Sequence, residues 1–279
     1  MADVNILMKQ LANASEKEVK CATITKLGNL GDDTAARILV KHLNQEEDNE
    51  IKSYAASALI NIKSKKATQM LVRLLKSESW ITRMKAVETL GELEDKKATL
   101  TLIKLLRNDP ESSVREWAAI SLGKIGDKKA VKPLVNALTK DSHFEVRMEA
   151  AKALGKIKDK KAKSALIQAF YSDIEYQVSW ASASALANLD DGESKKLLKE
   201  LTKELVKILE SEKDETVLSA AAKTLGEIGN EIAAKIMLKT MKISKELVRL
   251  EINLALGKMA KRLNYKDREE FVENIKLKS

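Results

Sequence analysis

The sequence predicts an all-α fold, an α-solenoid of about eight helical hairpins closed by a capping helix at each end. Three observations predict it. The stretch from Val114, VREWAAISLGKIGDKKAVKPLVNALTKD, is spelled out again from Val146 as VRMEAAKALGKIKDKKAKSALIQAF. Aligned on its opening pair and on the Leu-Gly that follows, the unit starts at Val19, Ile51, Thr82, Val114, Val146, Val178, Val217 and Val248, in steps of 32, 31, 32, 32, 32, 39 and 31 residues. Composition agrees, since alanine, leucine, lysine and glutamate are plentiful while the chain holds only two prolines and ten aromatic residues. A unit of this length buries its apolar face only by stacking on copies of itself.

The expected organisation is a single domain over residues 1–279: an N-terminal cap at 1–17, eight repeats over 18–257, and a C-terminal cap at 258–279. Residues 3–13 place Val4, Leu7, Met8 and Leu11 on one helical face, which suits an element that closes the core. Within a repeat, Val114, Ala118, Leu122 and Ile125 fall on one face of a first helix, and the small Ala118-Ala119 pair permits a close approach by the neighbouring repeat. The Gly-x-x-Gly-Asp that follows ends that helix, and Asp127 can cap the next. Ala130, Leu134, Ala137 and Leu138 then form the apolar stripe of a second helix. Ile60 and Lys65 replace the usual Gly and Asp in the second repeat, and Thr82 replaces the opening Val in the third.

The pattern (V/I)-(R/K)-x-x-A-(A/V)-x-x-L-G, followed by Asp-x-x-Ala and an apolar second helix, resembles the HEAT-repeat family. The likeness is to the short HEAT-like repeats of bacterial and archaeal scaffolds and of phycobilisome lyases. It covers residues 18 to about 257. The second position of the unit is basic at Lys20, Lys52, Arg83, Arg115, Arg147 and Arg249. The resemblance implies a structural ladder at this place, Arg115 with Asp127 and Arg147 with Asp159.

Regularity breaks in the repeat at about 175–215. Phe170, Tyr171, Tyr176 and Trp180 gather four of the ten aromatics, the basic position becomes Ser179 and then Leu218, and the repeat is seven residues longer than its neighbours. A loop is expected at Asp190 to Glu193, then a longer amphipathic helix. Aromatic side chains dominate interface hot spots, so these four are the expected anchors of a partner site. The remaining contact positions are outward on the second helices: Arg37, Lys41, Gln69, Arg73, Lys104, Lys132, Asn136 and Gln168.

Net charge is +9, from 41 Lys and 9 Arg against 41 acids, and residues 124–163 alone hold twelve basic and five acidic residues. Lysine doublets recur where each second helix begins, at Lys65-Lys66, Lys96-Lys97, Lys128-Lys129 and Lys160-Lys161. In register they form a basic ridge, although cations at a helix N-terminus are mildly unfavourable. The ridge suits solubility, an acidic partner or the phosphates of nucleic acid.

No catalytic, metal or cofactor site is legible. His42 and His143 lie far apart and neither precedes a glutamate. The His-Glu pairs by which deoxyhypusine hydroxylase, an enzyme of this repeat family, holds its di-iron centre are therefore missing. AlkD-like DNA glycosylases resemble the chain in size, repeats and basic character, but Trp117, Trp180 and Asp173 match no motif of theirs. Residues MADVNILMKQLANASEKE read as neither secretory signal nor membrane anchor, and a lone Cys21 reads as a small buried hydrophobe in a cytoplasmic protein. The function expected is a non-catalytic scaffold or adaptor, a subunit or assembly factor of a larger complex, that offers the concave surface of its second helices to another protein. Nucleic-acid binding by the ridge and glycosylase activity are the alternatives. No membrane, metal or cofactor partner is expected.

Overall fold

The structure, a computed structural model, describes residues 2–31, 33–62, 65–189 and 192–277. Among these residues the regular elements are helices, and no strand occurs. The chain divides into two compact units, Met1–Ala153 and Leu154–Ser279.

In the first unit, α1 (Ala2–Asn13) precedes the hairpins α2 (Lys17–Leu30) with α3 (Asp33–Gln45), α4 (Asn49–Ile62) with α5 (Lys65–Leu74), α6 (Trp80–Glu92) with α7 (Thr99–Asn108), and α8 (Ser112–Ile125) with α9 (Val131–Lys140). The division falls within α10 (Phe144–Ile157). First helices α2, α4, α6 and α8 pack side by side, as do second helices α3 with α5 and α7 with α9. The apolar stripes read from the repeat are the core: Val114, Ala118, Leu122, Ala130 and Leu134 are wholly buried. Cys21 is buried as well, and burial is the main cause that pushes its thiol pKa up. In α1, Val4 and Leu11 are buried but Met8 is exposed, so the closing face is narrower than the sequence spacing suggested.

The two glycines of Gly-x-x-Gly-Asp have separate tasks. Gly126 is the left-handed C-cap of α8 at φ 69°, with its N–H donated to the Leu122 carbonyl. Asp127 then accepts the Lys129 N–H at 3.0 Å and starts a 3₁₀ turn, Lys128–Ala130, that leads into α9. Gly123 lies inside α8 and is buried. Glu94 and Lys158 take the left-handed place of Gly126 with φ of 51° and 57°, a conformation that costs a residue with a Cβ roughly 1–2 kcal/mol. Lys158→Gly is expected to raise stability by about 1 kcal/mol, a shift that urea unfolding measures.

In the second unit, α11 (Lys163–Ser172) is followed by α12 (Tyr176–Asn188), α13 (Gly192–Ser211), α14 (Glu215–Ile228), α15 (Glu231–Ile243), α16 (Glu246–Arg262) and α17 (Arg268–Leu277). First helices α12, α14 and α16 stack in one layer, and α13, α15 and α17 in the other. The irregular repeat owes its extra length to α13, which has 20 residues where α11 has 10. Leu201, Leu205 and Leu209 bury one face of α13 in the core of this unit. Asp190 and Asp191 of the expected loop lie outside the described residues, while Gly192 and Glu193 already belong to the helix. In α14 the buried place goes to Leu218, and Val217 is exposed. Helix α16 runs past position 257 to Arg262, and the closing element is α17, with Phe271, Val272 and Ile275 buried.

Candidate interaction surfaces

The basic position of the repeat builds a ladder, with a different acid from the one expected. Arg83 donates Nε and Nη2 to the two oxygens of Asp109, both at 2.8 Å, and its Nη1 to the carbonyls of Ser77 and Glu78. Arg115 repeats the arrangement with Asp141 at 2.8 and 3.0 Å and with the carbonyls of Asp109 and Pro110. Arg147 donates Nη1 to the Asp141 and Ser142 carbonyls. Asp109 and Asp141 each take one arginine on the carboxylate and the next on the backbone carbonyl. The expected pair of Arg115 with Asp127 is therefore replaced by Arg115 with Asp141. The reason is geometric: the helices of a hairpin run antiparallel, so the acid beside the start of the first helix is the one at the end of the second. Asp127 is at the far end of α8, about 18 Å away at 1.5 Å per residue.

Burial opposes ionisation of Asp141, but the Arg115 guanidinium and the His143 N–H outweigh it and hold the carboxyl below its ordinary range. Bonding to Asp141 raises the Arg115 pKa. In the first repeat the same place holds the smaller pair Lys20–Glu46 at 3.2 Å, and in α16 Arg249 donates to the Ser244 carbonyl. This ladder is structural.

The outward positions expected on the second helices are all exposed: Arg37 and Lys41 on α3, Gln69 and Arg73 on α5, Lys104 on α7, and Lys132 and Asn136 on α9 in the first unit, with Gln168 on α11 in the second. Because the hairpins repeat, the first-unit residues fall into two rows. Arg37, Gln69, Leu100 and Lys132 form one, and Lys41, Arg73, Lys104 and Asn136 the other. Helices α3, α5, α7 and α9 together carry Arg37, Lys41, Lys65, Lys66, Arg73, Lys104, Arg107, Lys132 and Lys140 against one acid, Asp33 at the start of α3. The acids sit elsewhere, as with Glu50, Glu88, Glu92 and Glu116 on the first helices. Sequence reading located the individual residues but missed this segregation, which sorting charges by helix reveals.

Of the lysine doublets, Lys96-Lys97 and Lys128-Lys129 are exposed in equivalent 3₁₀ turns of the first unit, and Lys160-Lys161 is exposed in the same kind of turn in the second. The side chains of Lys65 and Lys66 lie outside the described residues. Asp95, Asp127 and Asp159 cap these three turns and offset half of each doublet's charge.

The four aromatics form two groups within the second unit. Phe170 is half-buried against the core and meets Tyr171 edge-on at 5.0 Å. Burial, then Glu204 and Glu200, raises the pKa of the exposed Tyr171 hydroxyl. On the first-helix layer, Lys258 of α16 lies 5.0 Å above the ring of half-buried Trp180, and Lys223 of α14 lies 6.0 Å from that of Tyr176. Tyr171 and Tyr176 are thus exposed, while Phe170 and Trp180 are each half-buried.

Among the described residues no three His, Cys, Asp or Glu side chains gather as a metal site, and no helix is long and apolar enough to cross a membrane.

The family profile for HEAT repeats matches residues 4–91, 36–122, 99–187 and 131–204. The chain belongs to the HEAT-repeat family. HEAT-type stacking explains the two helical layers, the buried Leu-Gly and the arginine ladder as one recurring unit. No curated protein matches the sequence. Among solved structures, the chain is similar to the complex of CpcE and CpcF of phycocyanin lyase from Nostoc sp. PCC7120, at 25% identity and a TM-score of 0.52 over 86% of this chain and 92% of that one. It is also similar in fold to Kap121p, at 14% identity and a TM-score of 0.67 over 93% of this chain and 33% of that one. Human deoxyhypusine hydroxylase aligns at 18% identity with a TM-score of 0.42, over 93% of this chain and 96% of that one.

Proposed function

We propose that this HEAT-repeat chain is a non-catalytic interaction scaffold, a subunit or assembly factor of a larger protein complex, which receives an acidic partner on the second-helix face of its first unit. The observation that carries this reading is the segregation of charge: two rows of exposed Arg, Lys, Gln and Asn, with Leu100 the one apolar member, on helices whose single acid is Asp33. Such a face raises the local concentration of an anionic partner and speeds its encounter, an effect that salt screens within about 10 Å at 0.1 M. The CpcE and CpcF structure, an assembly of two chains, supports a protein as the partner. The same rows suit phosphates, so nucleic acid is the second reading; the small number of arginines favours charge recognition over base reading.

The test is affinity purification of the tagged chain from its own cells at moderate salt, with and without nuclease, read by mass spectrometry. A stoichiometric set of acidic proteins that survives nuclease is expected. Replacing Arg37, Lys41, Arg73 and Lys104 by Glu is expected to abolish that capture with helical content unchanged, because all four are exposed. Capture that persists would remove this face, and loss of all partners on nuclease treatment would transfer the role to nucleic acid.

A further inference from the structure

In the repeat, the glycine after the recurring leucine is where the next first helix presses closest. A Cβ on Gly28 would lie 2.7 Å from the Ala58 Cβ, one on Gly91 2.7 Å from the Ser121 Cβ, one on Gly155 2.8 Å from the Ala185 Cα, and one on Gly226 2.9 Å from the Ala255 Cα. Gly257 occupies the same place in α16 and meets nothing within 4 Å. Beside it on the same helical face lie Leu247, Leu250 and Leu254, exposed by 57%, 54% and 55%. Leu247, Leu250 and Leu254, each more than half exposed, make with the open glycine an apolar strip on α16, where the corresponding places of α14 hold Thr216, Ser219 and Lys223.

We propose that this face of α16 pairs with α16 of a second copy of the chain, antiparallel and about a two-fold axis through Leu254. The inference goes beyond the acidic-partner reading and uses a different surface. The face is self-complementary in this direction. With Leu254 on the axis, the second copy's Leu250 fills the space over Gly257, and its Leu247 lies along the aliphatic stem of Lys261. Charge runs the same way: Glu246 stands at the start of the helix and Lys261 near its end, so the antiparallel pair sets unlike charges together and a parallel pair sets like against like. Glu251 and Lys258, which flank the face, already pair with Lys223 at 3.0 Å and Glu227 at 2.6 Å inside the unit, and they hold the rim in place. Head-to-tail stacking in repeat register is disfavoured, because the α2 position equivalent to Ala58 and Ala255 is Lys26, too large for the space over a glycine.

Sedimentation equilibrium of the full chain tests the pairing. A reversible dimer is expected, and Leu254→Asp is expected to weaken it by roughly 30-fold or more with the circular dichroism spectrum unchanged. Leu254→Cys, placed on the axis, is expected to give a disulfide-linked dimer under mild oxidation, while Leu247→Cys, which faces Lys261 of the second copy, is not; Cys21 is buried and does not compete. A wild-type chain that stays monomeric throughout the concentration series would overturn the proposal. So would a dimer that is indifferent to Leu254→Asp, or Leu247→Cys linking as readily as Leu254→Cys.

Discussion

Arg115→Ala is expected to destabilise the first unit by about 3 kcal/mol, the low end of what it costs to leave one member of a buried ion pair behind. Both partners are well covered, with side-chain exposures of 12% for Arg115 and 9% for Asp141. The guanidinium also satisfies two backbone carbonyls in the turn that precedes its own helix. Arg115→Lys is expected to lose roughly half as much, since an ammonium keeps the charge without the bidentate geometry. Urea unfolding at neutral pH measures both. Acid gives a signed check. The Asp141 carboxyl lies below its ordinary 3.8 in the folded chain. Its contribution is thus complete above that value and is lost as pH falls through the folded pKa. The gap between wild type and Arg115→Ala is expected to narrow below about pH 4; a gap that stays constant into strong acid would show that packing of the arginine stem, not the charge, carries the effect.

The second large effect concerns a substitution that normally helps. Gly→Ala inside a helix gains about 1 kcal/mol from propensity. At Gly226 the new Cβ would stand 2.9 Å from the Ala255 Cα and 3.0 Å from its Cβ, so α14 and α16 must separate. Gly226→Ala is therefore expected to cost about 2 kcal/mol, an overpacking penalty that overturns the propensity gain. Gly257→Ala, with no neighbour within 4 Å, is expected to gain up to about 1 kcal/mol in dilute solution. Denaturation midpoints of the two variants should move in opposite directions; movement in the same direction would refute close approach as the task of this glycine.

These two predictions also mark where reading the chain by itself succeeds and where it stops. The period and the spacing of Val114, Ala118 and Leu122 specify helix, hairpin and core, because a 3.6-residue stripe has one way to be buried. Gly126 and Asp127 specify the turn between the helices by their own local chemistry. The partner of Arg115 was within reach of the same logic, since antiparallel helices bring Asp141 and not Asp127 beside it, whereas the family resemblance had implied Asp127. Gly226 and Ala255 are 29 positions apart, and nothing local announces that they touch. The candidate surface was legible residue by residue, as with Arg37, Lys41 and Lys104, but its near freedom from acid, Asp33 apart, depends on which layer each charge belongs to.

The sharing of each aspartate by two arginines has a consequence for how the first unit comes apart. In a linear array of repeats, cooperativity is set by the ratio of nearest-neighbour coupling to the intrinsic stability of each hairpin. Asp109 and Asp141 each bind one arginine through the carboxylate and the following one through the carbonyl, so opening any hairpin from α6 to α9 exposes an unsatisfied group in its neighbour. Coupling of this kind lengthens the stretch that must melt together: the hairpins from α6 to α9 are expected to exchange their amides as one protected block.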